Sequence, residues 1–268
     1  MCSSCPSTLP TRGCLVDIAG WAGWADVVFH LAARSGVRTR RSDIDELRRR
    51  DIVTATEHML ALTPSHTHFI VTSSSSVYGG AQRTRGGLHR PSHEEDVLRP
   101  KGGYALAKAH MEQLARGYRR FDDGLAIVRP FTVIGEGQRD DMALSMWIDA
   151  TRNGDPITIF GNLDRRRDVT DVRRVVDGLI AVADRRFCGI VNLGAGRPRT
   201  LAEMVEAVFV AMGRGTSLLF APAKPEEVRA TYADTTRART QLGVDLTTDL
   251  LDATRRQADR RLGALIDS

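Results

Sequence analysis

The sequence predicts an α/β fold, a mostly parallel sheet with helices packed on its faces, and three observations carry that expectation. Strand-like and helix-like patterns alternate along the chain, as layered βαβ architectures require. Helix boundaries are written into the sequence: Pro64 stops one helical stretch, and Thr200-Leu201-Ala202-Glu203 is a capping box that opens another. The chain has 268 residues, 42% of them hydrophobic, which is enough for a sizeable core.

In order, residues 27–31 read as a buried strand and 44–62 as a helix that ends before Pro64. Residues 69–72 form the next strand. The stretch 79–100, rich in Gly, Arg and Pro, is a surface loop placed to overhang a site. A helix over 102–120 and a strand over 125–129 follow. Farther on come a helix at 172–184, a strand at 190–193, the helix opened by the capping box, and a last helix over 250–262. There is no internal repeat and no low-complexity linker.

Composition narrows the function. No apolar run approaches the length of a bilayer span and the N-terminus lacks a hydrophobic signal core, so a cytoplasmic protein is expected. The 38 basic and 33 acidic residues give a net charge of +5. The arginine runs (Arg38-Thr39-Arg40-Arg41, Arg48-Arg49-Arg50, Arg165-Arg166-Arg167) lie among acids without interleaved aromatics. They read as solvated faces and an anionic small substrate rather than nucleic acid. Of four cysteines, Cys2, Cys5 and Cys14 have no nearby fourth ligand, so they read as reduced thiols on a loose arm, with no metal site.

The chemistry is concentrated in two motifs. Tyr104 and Lys108 are four apart, so on a helix they share a face, and the lysine is expected beneath the phenol, lowering its pKa. A phenolate near neutral pH is a usable general base. The serine-rich strand end Thr72-Ser73-Ser74-Ser75-Ser76-Val77-Tyr78-Gly79 supplies a hydroxyl for the same substrate oxygen. Hydroxyl, phenol and ammonium together can take a proton from a sugar-type hydroxyl while hydride leaves its carbon.

With these motifs, the chain from about Leu15 to Leu262 resembles the extended short-chain dehydrogenase/reductase family, in its NAD-dependent nucleotide-sugar epimerase/dehydratase branch. The ordered matches are Val16-Asp17-Ile18, Asp26-Val27-Val28-Phe29-His30-Leu31-Ala32-Ala33, the serine motif, the Tyr104/Lys108 pair, Arg129-Pro130-Phe131-Thr132-Val133-Ile134-Gly135, Arg167-Asp168-Val169, Val191-Asn192-Leu193-Gly194-Ala195-Gly196, and Tyr232-Ala233-Asp234 leading to Leu242-Gly243. The resemblance implies that Ser74 is the catalytic hydroxyl, Tyr104 the base, and Lys108 both the phenol's partner and a holder of a nicotinamide ribose hydroxyl. Asp17 and Ile18 fall on the adenine side of NAD, Leu31, Ala32 and Ala33 along the cofactor wall, and Phe131 near the nicotinamide. Thr132, Arg167 and Lys224 fall on the substrate, with the Arg167 fork suited to a diphosphate. Thr132 stands where the family usually has asparagine, Glu136 where it has proline, and Lys224 where it often has arginine. Ser75 and Ser76 replace the Asp-Glu of the sugar 4,6-dehydratases, which argues against water elimination.

The family's opening glycine-rich turn, which holds the dinucleotide pyrophosphate, has no counterpart before Val16. The expected fold is therefore a Rossmann-like doubly wound parallel sheet without its first strand–helix–strand unit, with a small C-terminal substrate domain, and a truncated start is the expected explanation. The implied division is a loose arm over 1–13, a residual NAD-binding domain over 14–130 and 170–196, and a substrate-binding domain over 131–169 and 197–268. The implied activity is a 4-epimerase of a nucleotide-diphosphate sugar. The alternatives are a reductase or dehydrogenase of the same fold, or a catalytically silent remnant. The resemblance further implies a homodimer paired through helices 44–62 and 102–120.

Overall fold

A computed structural model describes residues 20, 23–36, 42–120, 122, 124–224 and 227–263. The first half alternates β1 (Val27–His30), helix α1, β2 (His68–Thr72), α2 (Gly103–Tyr118) and β3 (Leu125–Pro130). The second runs through β4 (Thr132–Ile134), α3 (Ala143–Asn153), β5 (Ile157–Phe160), β6 (Arg166–Asp171), α4 (Val172–Asp184), β7 (Gly189–Leu193), β8 (Pro198–Thr200), α5 (Leu201–Met212), β9 (Leu218–Ala221) and α6 (Leu250–Gly263). Helix α1 is continuous, α-helical over Ile44–Arg48 and Ala55–Leu62 with a π-helical stretch, Arg49–Thr54, between them. Thr63, the residue before Pro64, is extended (φ −93°, ψ 123°), as the proline ring demands, and the helix stops there.

β1, β2, β3 and β7 form one all-parallel sheet in that order. Its strands are short and apolar because both faces are covered. On one face α1 and α2 pack through Ile52, Leu60, Met111 and Ala115 onto Phe69, Val71, Leu125 and Ile127. On the other, α4 supplies Val175 and Val182 against Ile70, Ala126, Val128, Val191 and Leu193, joined by Ala238 and Leu242. Crossover helices on both faces are what doubly wound means, and the fold class read from the sequence is the one observed.

A second core lies beyond Phe131. Ile134, Leu144, Trp147, Ile148, Ile157, Ile159 and Val169 pack with Leu201, Met204, Val205, Val208, Leu250 and Ala253. Around it run a three-stranded sheet, β4-β6-β8, and a parallel pair, β5-β9. The chain passes between the two cores at the C-terminal ends of β3 and β7. Open α/β sheets bind ligands at that end.

Candidate active site

Five segments converge on a cavity of about 650 Å³ at this end of the sheet. Four of them are the end of β2, the start of α2, the β3–β4 connection and the loop after β4, and the fifth side is built from residues of α3, β5, β6 and α5 in the second unit. The volume lies within the range of small-molecule clefts.

The serine motif folds as a strand end running into a single 3-10 turn, Ser75–Tyr78. Ser74 is extended (φ −164°, ψ 147°) and its Oγ accepts the Ser76 N–H at 3.2 Å, so it caps that turn. Gly79 closes the turn at φ +68°, where an added Cβ would collide with the Arg99 carbonyl. Ser74 and Tyr104 both line the cavity, and Ser74 stands near enough to the Tyr104 phenol to favour its ionised form, which places the hydroxyl and phenol of the two motifs together in the cavity wall. Burial raises the Tyr104 phenol above its ordinary value, while the nearby Ser74 hydroxyl and the Arg139 and Arg48 charges pull it down.

Lys108 departs from expectation. It lies on the same buried face of α2 and lines the cavity, yet its Nζ donates to the Thr72 carbonyl at 2.6 Å and touches Met111 Sδ at 3.8 Å. The expected lowering of the phenol by Lys108 is corrected accordingly: the opposing charges are those of Arg139 and Arg48. The reason is topological. β1 pairs with β2 only as far as His30 opposite Val71, and one residue farther the Thr72 carbonyl takes the lysine instead. Burial lowers the Lys108 ammonium to about 8. His30 lies in the same neighbourhood, its Nε2 2.8 Å from Thr56 Oγ1, whose own proton goes to the Ile52 carbonyl. Nε2 is therefore the protonated nitrogen, and burial, with Lys108 adding, lowers the imidazole to about 4.

Behind the site a closed polar network joins α2, β3 and β7. Arg129 makes a two-pronged pair with Glu112 (2.9 and 2.7 Å), and its Nη1 donates to Tyr78 Oη (2.8 Å) and the Glu94 carbonyl (3.0 Å). Tyr78 donates to Asn192 Oδ1 at 2.7 Å, and Phe131 stacks on the Tyr78 ring with centroids 6.3 Å apart. A fully buried ion pair of this geometry orients its neighbours. Phe131 thus holds one cavity wall rigidly while facing the site.

The other expected residues fall as follows. Leu31, Ala33 and Thr132 line the cavity; Ala32 is exposed and does not. Arg167 lines it and donates to the Arg166 carbonyl at 2.8 Å. Lys224 is not in the lining, but its Nζ stands 4.6 Å over the ring of Phe160, which is. Arg165 is no solvated face, since its guanidinium donates to the Glu227 and Val228 carbonyls at 3.2 Å. Asp168 is a staple: its carboxylate accepts the amides of Ala195, Gly196 and Ala233 at 2.9, 3.1 and 2.8 Å. Asp17, Ile18 and the three N-terminal cysteines lie outside the described residues. Among the described residues no cluster fits a metal ion and no helix is long and apolar enough to cross a membrane. Glu136, Gln138, Arg139 and Trp147 also line the cavity and were not singled out as site residues; the polar run broken by Gly135 and Gly137 after β4 is the one signal that marks the first three.

The residues present fit a polyhydroxylated, phosphate-bearing ligand. Thr72 Oγ1, Ser73 Oγ and Ser76 Oγ are buried without partners, and all three residues line the cavity with Lys101, Lys108, Arg139 and Arg167. Unsatisfied buried hydroxyls mark places where a ligand supplies the missing bonds. A parallel doubly wound sheet with a serine–tyrosine–lysine site at its C-terminal end defines a dinucleotide-dependent enzyme class. Within it the chain is identified by the NAD dependent epimerase/dehydratase family, whose model matches residues 17–194, and to which it belongs.

The chain is 31% identical to an uncharacterized UDP-glucose epimerase of Bacillus subtilis, covering 88% of this chain and 74% of the relative. It is 29% identical to a probable UDP-glucuronate 4-epimerase of Rhizobium meliloti, covering 81% and 69%. The structure superposes on UDP-glucuronic acid 4-epimerase from Bacillus cereus, crystallised with UDP-glucuronic acid and NAD. The TM-score is 0.84 at 27% identity, over 92% of this chain and 79% of that one.

Proposed function

We propose that the protein is an NAD-dependent epimerase that inverts the 4-hydroxyl of a UDP-linked hexose or hexuronic acid. The observation that carries this reading is the meeting of Ser74 and Tyr104 in one cavity wall, with Lys108 one turn along the same helix face and in the same lining. As the phenolate, the form that Ser74 and the Arg139 and Arg48 charges favour against burial, Tyr104 Oη accepts the proton of the sugar 4-hydroxyl, and Ser74 Oγ hydrogen-bonds that oxygen and steadies the charge developing on it. NAD, when bound, would supply the reversible hydride acceptor that inversion at C4 requires. Lys108 and Tyr104 would hold its ribose hydroxyls, and Phe131, Leu31 and Ala33 would form its wall. Phe131 and the second-core residues Ile134, Leu144 and Trp147 give the cavity an apolar side.

Arg167 would grip the diphosphate, with Thr132 and Lys224 as further substrate contacts. Residues 14–130 and 170–196 would then form the cofactor-binding domain, and 131–169 and 197–268 the substrate-binding domain. The second core, drawn wholly from these last two segments, supports that division. Leu106 and Tyr118 are exposed on α2, consistent with pairing of two copies through α1 and α2. Light scattering that finds only monomer would overturn the dimer.

The function is tested by incubating the protein with UDP-glucuronic acid and, separately, UDP-glucose, and following C4 configuration by proton NMR. Interconversion with no consumption of added NADH is expected. Stoichiometric consumption of NADH would favour a net reductase, and no reaction with either sugar in NAD-loaded protein would overturn the reading.

A further inference from the structure

Five consecutive residues of the cavity wall, 135–139, belong to a loop with no apolar side chain until Met142. Gly135 and Gly137 both have positive φ (119° and 78°), so the backbone alone leaves the loop many conformations. Hydrophobic packing does not fix this wall. Helix α6 does, from the side away from the cavity. Gln257 is buried and is not in the cavity lining. Its Oε1 accepts the Gly135 N–H at 2.9 Å, and its Nε2 donates to Gln138 Oε1 at 2.9 Å and Ser145 Oγ at 3.0 Å. Gln138 in turn donates to the Val133 carbonyl at 2.6 Å. A backbone N–H only donates and a backbone carbonyl only accepts, so the two ends of this chain of bonds fix the orientation of both amides. The neighbouring Arg256 reaches Glu136 at 3.0 Å and also pairs with Asp171. Glu136 stands where the resembled family has a rigid proline, so in this chain an ion pair to α6 does what a ring would do.

We propose that Gln257 is a positioning residue for the sugar-nucleotide pocket, setting the affinity for a nucleotide-diphosphate ligand through the Gly135–Gln138 wall without touching the ligand. The proposal rests on the epimerase reading, and the probe separates the two: UDP, titrated calorimetrically into the full chain. Gln257→Leu keeps the side-chain volume and removes all three bonds. Ala253→Gly, at a fully buried position of the same helix, loosens α6 without touching the loop. UDP binding should weaken at least about tenfold in Gln257→Leu and stay within about twofold in Ala253→Gly. Unchanged binding in Gln257→Leu, or equal weakening in both variants, would overturn the positioning role. Should Gln257→Leu not fold, Gln257→Asn, whose amide falls one methylene short of Gly135, is judged by the same criteria. Failure of the unmodified protein to bind UDP would overturn the epimerase reading and this inference with it.

Discussion

Replacing Lys108 by Met is expected to reverse the relative stability of the two proteins between neutral and alkaline pH. The lysine is 3% exposed, and burial lowers its ammonium from 10.5 to about 8. A shift of about 2.5 pH units corresponds to about 3.4 kcal/mol at about 1.4 kcal/mol per unit. The sign follows from linkage. As pH falls from 10.5 to 8 the unfolded chain takes up a proton that the folded chain refuses. The folded state is therefore penalised progressively through that window and fully below it. At pH 7 the wild type carries the whole penalty and the Met variant none. The variant loses the bond to the Thr72 carbonyl, worth about 1–3 kcal/mol when left unmade in a buried place. The variant should thus equal the wild type at pH 7 or exceed it by up to about 2 kcal/mol. At pH 10 the penalty has shrunk to under about 1 kcal/mol, and the variant should be the less stable protein by about 1–2 kcal/mol. Urea unfolding at the two pH values measures both differences. A variant that is less stable by the same amount at both would refute the reasoning, because the ammonium would then not be desolvated in the folded state. Turnover should be lost in the same variant, a stabilising change at the expense of the site.

Tyr104→Phe removes the proton acceptor and keeps the ring, so kcat with UDP-glucuronic acid should fall by about two to four decades; near-normal turnover would take Tyr104 out of the mechanism. His30 is buried and neutral, lowered from 6.5 to about 4, so the unfolded chain protonates first as pH falls through that window and stability is lost. Relative to His30→Gln, the wild type should lose about 2–3 kcal/mol between pH 7 and 4.5 in urea unfolding, and parallel pH profiles would count against it. Glu112→Leu strands the buried Arg129 guanidinium and should cost about 3–5 kcal/mol, most of it recovered by adding Arg129→Met. A loss below about 1 kcal/mol in the single variant would mean that the guanidinium finds other acceptors.

The central sheet was legible because its signals are local. Phe69 to Val71 and Leu125 to Val128 are unbroken apolar runs, Pro64 forces Thr63 out of the helix, and Thr200 with Glu203 forms both bonds of the capping box. The second core was read only from the resemblance, since its strands are set by pairing rather than composition. β6 opens on Arg166-Arg167-Asp168, which no strand preference would select, and is held by β4 on one side and β8 on the other. The loop wall after β4 is fixed from Gln257, about 120 residues away along the chain, and no spacing rule reaches that far. For Lys108 the four-residue spacing from Tyr104 gave the correct helix face but not the partner, because the partner is a carbonyl left over where β1 ends.

Helix α2 joins these threads. Its buried face carries Ala105, Lys108, Met111, Glu112 and Ala115, spaced as an amphipathic helix spaces its core residues, yet two of the five are charged. Each faces a different requirement. Glu112 neutralises Arg129 beneath the Tyr78–Phe131 stack, so its charge is matched inside the protein. Lys108 has one carbonyl and a thioether, and no carboxylate within bonding distance among the described residues, so its charge is left for something that enters the cavity. A packing helix would place leucine at both positions and be more stable. The unmatched ammonium at one of them, four residues after the tyrosine that shares the cavity wall with Ser74, is the physical feature that separates this sheet from a merely structural one.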